Sequence, residues 1–483
     1  MAIKTTCATA ASSRGTDTPP PRPGRALGIV AFAAAALLNG CAAPGGTMAG
    51  SAAGSAAPPA RTITSPAALA LAGRVPPPGI QTAGEARTLA SAIPAAVGAA
   101  DQSALLPMDD AVTRAAEALF ANAQLPAATG SSGRYLLVID PLIDGATGVQ
   151  SAATRSVQAR VAEVAQRNPR FDLRPFNTAS LEAKPLVLLG SAMPLRPGNA
   201  TTGAPTAYDL WLVLADARTG RIVGRSEAPM RVAGVDPTPT PFFRDSPVWV
   251  KEDPVQRGYW ETCRSVVGDA VDTRYLESLF ASALVADGIT AYEAGRPWQA
   301  LAFYQRAAQL PAGDQTRVHN GLYLANWAVG RREEAEAAFG KVVDLGLRQG
   351  QLSVKLVFQP NSTSFWPDQA VSGPYPLWVR RIARGAVVRE TCLQVTGHTS
   401  PTGAPALNDR LSLARAQRVQ GLLVRSEPPL ARRTAAKGAG SREPIIGTGA
   451  DDASDALDRR VEFAPQACGA VTAAHDDPAA IGG

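Results

Sequence analysis

Histidine is scarce in this 483-residue chain, with three copies, and cysteine is little commoner, with five. A dedicated multi-histidine metal site is therefore not expected. Charged residues make up 18% and apolar residues 46%, with 84 Gly and Pro between them. That balance excludes a fully disordered chain and a long coiled coil, and fits globular domains joined by flexible segments. The net charge of +6 is inflated by residues 1–40, where Lys4, Arg14, Arg22 and Arg25 oppose only Asp17. No concentrated basic stripe is present, so no nucleic-acid partner is expected. Long apolar runs are also missing: nowhere are about 18 apolar residues uninterrupted, which excludes a multi-span membrane protein. The composition leans away from an enzyme. The length alone suggests about three domains.

One short apolar run does occur. Ala26 to Leu38 has the length of a signal-peptide core, follows basic residues and ends in Leu38-Asn39-Gly40-Cys41. This resembles a bacterial lipoprotein signal, in which the Cys is lipidated and becomes the new N-terminus. The alternative is an ordinary secretory signal cleaved near Ala43. On the lipoprotein reading Cys41 carries the lipid, and Ala42 behind it implies the outer membrane. Several acyl chains on one residue anchor stably. The mature chain then lies in an oxidising compartment with Cys263, Cys392 and Cys468. Cys392 with Cys468 is the expected bridge, both lying in the last domain; the alternative is three small buried residues.

Residues 41–107 are Ala/Gly/Pro/Ser-rich, cannot offset the entropy of ordering, and read as a flexible tether. Such a coil has a root-mean-square span of roughly 45 Å. Residues 108–231 read as an α+β domain. Asp109 or Asp110 opens a helix with Val112, Ala115, Ala116, Leu119 and Phe120 at helical spacing. Strands are expected at 135–140, 171–176, 185–189, 209–215 and 221–226, with a helix over 152–166 and the last two strands in a hairpin closed by Gly220. The order of elements resembles small periplasmic domains of the CsgG and TolB N-terminal type. Asp140 and Asp144 read as turn residues beside Pro and Gly, not as an acid–base pair.

A Pro-rich and aromatic connector, 232–274, offers Trp249 and Trp260 as anchors. Residues 275–350 are helical and repeat: Gly295, Ala300 and Tyr304 return 35 positions later as Gly330, Ala335 and Phe339. That period and order resemble the tetratricopeptide pattern, with Gly288 at a further small position. A groove for a protein partner is one reading; a spacer between domains is the other.

The last domain, 352–468, is the most informative. A strand is expected at 354–358, a helix at 377–384 and a strand from Cys392. Then come Gly397-His398-Thr399-Ser400-Pro-Thr-Gly403, Asn408-Asp-Arg-Leu411-Ser412-Leu-Ala-Arg415-Ala416, Gly438-x-Gly440 leading through Pro444 to a third strand, and Asp458-Arg459-Arg460-Val461-Glu462-Phe463 as the fourth. Four blocks in this order resemble the OmpA-like peptidoglycan-binding domain. The resemblance implies a βαβαββ fold, so the chain as a whole is expected to be multidomain α+β. It also implies noncovalent binding of the diaminopimelate stem peptide of peptidoglycan, without a cofactor. Arg415 is the expected carboxylate ligand, through a bidentate guanidinium on the first turns of a helix capped by Ser412. Fifteen residues earlier the family carries an Asp for the ligand's other polar end, and here stands Ser400. A hydroxyl accepts a hydrogen bond but neutralises no ammonium. Asp409 is a candidate replacement carboxylate. Thr399, Asn408 and Arg459 complete the expected binding residues, with Asp458 in place of a family Asn. His398 reads as a turn residue, and Asp451, Asp452 and Asp455 as a solvated loop lacking a calcium ligand series. No catalytic residues are assigned. Residues 469–483 read as a disordered tail.

Overall fold

A computed structural model describes residues 105–125, 127, 133–196, 205–249, 253–445 and 458–469. The signal segment, Cys41, nearly all of the tether, the Asp451, Asp452 and Asp455 loop and all but the first residue of the tail lie outside these. Among the described residues no helix is long and apolar enough to cross a membrane.

The first sheet contains β1 (Tyr135–Ile139), β2 (Ile143–Asp144), β3 (Phe171–Leu173), β4 (Leu186–Leu195), β5 (Ala207–Asp216) and β6 (Arg221–Arg231). Its order is β3-β1-β4-β5-β6, with β2 paired to β4. The first three strands of that order run parallel, and β5 and β6 close it as an antiparallel hairpin. The turn after Asp216 ends at Gly220, whose φ of +65° suits glycine. Both faces are buried, which is why these strands read as near-continuous apolar runs. Leu137, Ile139, Leu186, Leu188, Leu212 and Leu214 face α1 (Met108–Asn122) and α2 (Ala152–Arg167). Val138, Val187, Leu189, Val213 and Ala215 face the other way, toward Leu181 of α3 (Thr178–Glu182) and toward α5 (Pro254–Arg264) and α6 (Thr273–Glu293). Three sequence expectations shift here. The strand at 171 stops at Leu173, the one at 185 extends to Leu195, and the one at 221 extends to Arg231.

The described residues of the connector lie between β6 and α6 and form regular elements. After α4 (Pro241–Asp245), the short strand β7 (Val248–Trp249) joins the second sheet. Trp249 is buried there, whereas Trp260 on α5 is only partly covered.

The helical segment comprises α6, α7 (Pro297–Ala308), α8 (Thr316–Ala328) and α9 (Arg332–Arg348). Tyr304 of α7 is fully buried between two glycines: a Cβ on Gly288 of α6 would lie 2.6 Å from its ring, and one on Gly321 of α8 2.4 Å. Gly321 is the small partner that periodicity alone does not reveal.

The second sheet has the order β10-β9-β11-β8-β7, with β8 (Leu352–Val354), β9 (Cys392–Gly397), β10 (Thr434–Gly438) and β11 (Val461–Gln466). After a four-residue α10 (Gln369–Ser372), the helices α11 (Tyr375–Val388) and α12 (Pro405–Ser426) connect the strands. The order from β8 is thus β-α-β-α-β-β, with β7 added at the edge. The expected strand at 354–358 is misplaced. The chain leaves the sheet after Val354, where Lys355 turns inward and donates to the Arg244 carbonyl, and Tyr375 Oη binds the Val357 amide at 3.0 Å. A strand leads into Gly438-x-Gly440, the third strand expected after Pro444 falls on residues outside the described ones, and the last strand begins at Val461. A disulfide joins Cys392 to Cys468, and Cys263 is a buried free thiol.

Candidate functional site

The glycines and the serine of the recognised blocks act first as packing devices. A Cβ on Gly397 would fall 2.1 Å from the Ser412 carbonyl, and one on Gly438 2.7 Å from Ser412 Oγ. Only bare backbone at β9 and β10 lets α12 approach so closely. Ser412 Oγ donates to the Asp409 carbonyl at 2.9 Å and accepts from the Gly440 amide at 2.9 Å, fastening the helix to the Gly-x-Gly turn. Ser412 therefore does not cap α12. The helix starts at Pro405, seven residues earlier, with no side-chain cap.

That packing places the end of β9, the middle of α12 and the entry to β11 side by side. Thr399 is held by its amide on the Gly440 carbonyl at 2.9 Å, and its hydroxyl is buried with no hydrogen-bond partner among the described residues. Ser400, 5% exposed, shares a hydrogen bond with the Thr402 hydroxyl at 2.9 Å. Asn408 shapes this loop, donating to the carbonyls of Ser400 at 3.4 Å and Thr402 at 3.0 Å. Arg459, two residues before β11, donates to Ser400 Oγ at 3.4 Å.

Arg415 sits in the middle of α12 and not on its first turns. Nε donates to the Ser362 carbonyl at 3.1 Å and Nη2 to the Gln359 carbonyl at 3.0 Å. The guanidinium lies 4.9 Å from the Phe358 ring centroid. The expected free fork is thus turned onto the loop after β8, with Nη1 left without such a carbonyl among the described residues. Burial, and then the neighbouring Arg459, lower the Arg415 guanidinium to about 10, so it stays charged at neutral pH. Arg459, the donor to Ser400, is thus also a neighbouring like charge for Arg415.

Among the described residues, three nearby carboxylates have partners of their own. Asp409, the candidate replacement for the family Asp, pairs with Arg442. Asp458 is buried and accepts the Ile445 amide. Glu462 accepts Arg460 Nε at 2.7 Å and Ser353 Oγ at 3.2 Å. His398 is buried beside this group, with Nε2 3.5 Å from Glu462 and Nδ1 3.7 Å from Glu443. Burial, reinforced by Arg460, holds its imidazole below the usual histidine range. This ion network supports the loop from beneath; sequence reading treated His398 as a turn residue and missed the network. The signal was present as Arg460 and Glu462, alternating with Val461 and Phe463 where the chain enters β11.

Other expected positions lie far from this group along the chain. Asp144 is a turn acceptor for the Ala146 and Thr147 amides. Asp140 is instead buried after β1 and accepts Tyr275 Oη at 2.7 Å. Among the described residues no three His, Cys, Asp or Glu gather to hold a metal ion.

No protein-family profile matches the chain, and no curated protein does. Solved structures are similar to part of it. The periplasmic domain of MotB shares 22% identity, with 24% of this chain and 64% of that chain covered and a TM-score of 0.19. The cell wall anchor of the T6SS from Pseudomonas aeruginosa shares 31%, with 24% and 80% covered and a TM-score of 0.20. The peptidoglycan-associated lipoprotein from Burkholderia pseudomallei shares 23%, with 24% and 89% covered and a TM-score of 0.20. Each likeness covers about a quarter of the chain.

Proposed function

We propose that the chain is a non-enzymatic envelope protein that binds peptidoglycan through the Thr399–Ser400, Asn408, Arg415 and Arg459 group. The observation carrying this reading is a pair of neighbouring cations, Arg415 braced on the loop after β8 and Arg459 on Ser400 of the loop that Asn408 holds in shape. A stem peptide is rich in carboxylates, and a half-desolvated pair of guanidiniums is a fitting receptor for one. Arg415 contributes charge through its remaining edge, while its carbonyl bonds fix the loop after β8. In this reading Cys41 moors the chain to the outer membrane, and the tether raises the effective concentration of the binding domain at the wall. Co-sedimentation of the full chain with purified sacculi tests the assignment. Retention at low salt, falling several-fold in Arg459→Gln, is expected; a wild-type chain left in the supernatant overturns it.

One observation favours an additional adaptor role. Trp298, at the start of α7, is 59% exposed, with the Arg331 guanidinium 5.0 Å from its ring centroid. It supplies the helical segment with a surface for a protein partner such as a wall synthase or an assembly machine. Crosslinking from position 298 in cells should give a reproducible partner if that role holds.

A further inference from the structure

The loop that Arg415 holds has a second anchor at its other end. The chain leaves β8 at Val354, and the next residue, Lys355, is fully buried. Its amide donates to the Pro247 carbonyl at 3.2 Å and its ammonium to the Arg244 carbonyl, both in the connector. Two residues on, the Val357 amide donates to Tyr375 Oη at 3.0 Å, and the Val357 carbonyl accepts the Trp366 amide at 3.0 Å. The Phe358 ring lies against the Arg415 guanidinium, and the Gln359 and Ser362 carbonyls are the two that Arg415 takes. The Ser362 amide donates to the Gln359 carbonyl at 3.2 Å, which ties these two acceptors to each other. From 355 to 362 the segment is thus a clamp, gripped at one end by connector carbonyls and at the other by Arg415.

A buried ammonium is a costly way to fasten a loop. Burial holds Lys355 well below the usual lysine range, with Asp245 opposing that shift and Arg244 adding to it. An apolar side chain of similar length would fill the space without that cost, but it would not hold the Arg244 carbonyl. We propose that Lys355 is a positioning residue for the peptidoglycan site: through the 355–362 segment it sets where Arg415 presents its remaining edge, and so couples the connector to ligand binding. The inference rests on the peptidoglycan reading above. Because coupling between sites is reciprocal, a ligand gripped at Arg415 also steadies the connector.

The test compares co-sedimentation of the full chain with purified sacculi for the wild type, Lys355→Met and Lys355→Gln. Lys355→Met should melt no lower than the wild type yet bind roughly five-fold more weakly, the lower end of couplings between sites. Lys355→Gln keeps a donor for the Arg244 carbonyl and should restore most of the binding. In an Arg415→Gln background Lys355→Met should cause no further loss, because the side chain it positions is gone. Wild-type binding in a folded Lys355→Met, no recovery in Lys355→Gln, or an equal loss with and without Arg415 overturns the proposal and leaves the peptidoglycan reading standing. A wild-type chain that stays in the supernatant overturns that reading itself. Hydrogen exchange of the wild-type chain supplies an arm that needs no variant to fold. Soluble peptidoglycan fragments should slow the Arg244 and Ser246 amides of the connector together with the 359–362 loop; protection that leaves the connector unchanged overturns the coupling.

Discussion

Asp140 shows what a single buried group does to this protein. It closes β1 at 6% exposure, and burial raises its carboxyl from 3.8 to about 7 despite the Tyr275 hydrogen bond. A raised carboxyl favours the fold while protonated. Its contribution is full below pH 3.8 and is lost as pH rises through about 7. Asp140→Asn keeps an acceptor for Tyr275 and removes the charge. It should stabilise the protein by about 1–3 kcal/mol at mildly alkaline pH and by almost nothing near pH 4, measured as denaturation midpoints across pH. His398 acts with the opposite sign. Its imidazole is held low by burial, so its contribution is present above its unfolded value of 6.5 and is lost on acidification. Sequence reading placed both as turn residues, Asp140 because it stands beside Pro and His398 because it lies in a loop with no partner nucleophile nearby. The burial that changes their chemistry comes from α6 and β11, far away in the chain.

At the scale of elements, α12 explains which parts of the site could be read in advance. Gly397, Ser412, Gly438 and Gly440 form one packing contact, and such contacts require particular residue types at particular spacings. That is why the blocks announce the domain. The position of Arg415 on the helix was not legible, because α12 begins at Pro405 and needs no capping serine. The strand near 354 was misread for a related reason: Val354 to Phe358 is rich in apolar residues, but the sheet gives up the chain to make room for Lys355. The disulfide ties the start of β9 to the residues just after β11, 76 positions apart. Closing a loop of that size stabilises by up to about 4 kcal/mol in the chain-entropy model. Reduction should lower the melting temperature, and hydrogen exchange should locate the loosening at β11 and the edge of β9. Unchanged protection there would mean that the strands hold without the bridge.

Over the whole molecule, the helical segment and the second sheet share one core. Trp378 of α11 is buried, donates from Nε1 to Tyr323 Oη of α8 at 2.9 Å, and stacks on Phe339 of α9 with ring centroids 5.7 Å apart. The connector adds β7 to the edge of the sheet and Arg244 to the Lys355 side chain. Domain boundaries drawn from composition alone therefore cut through packed surfaces. Trp378→Ala should cost about 3–5 kcal/mol and loosen α8 and α9 together with α11 in hydrogen exchange, the signature of a shared cooperative unit. Residues 352–468 alone would expose the face of α11 that Tyr323 and Phe339 cover, so binding belongs to the full chain. The most direct measurement of the central claim is hydrogen exchange of that full chain with and without a stem peptide. Binding at the proposed site slows exchange in residues 398–402 and in the 359–362 loop that Arg415 holds; protection confined to the first sheet, or none at saturating peptide, contradicts it.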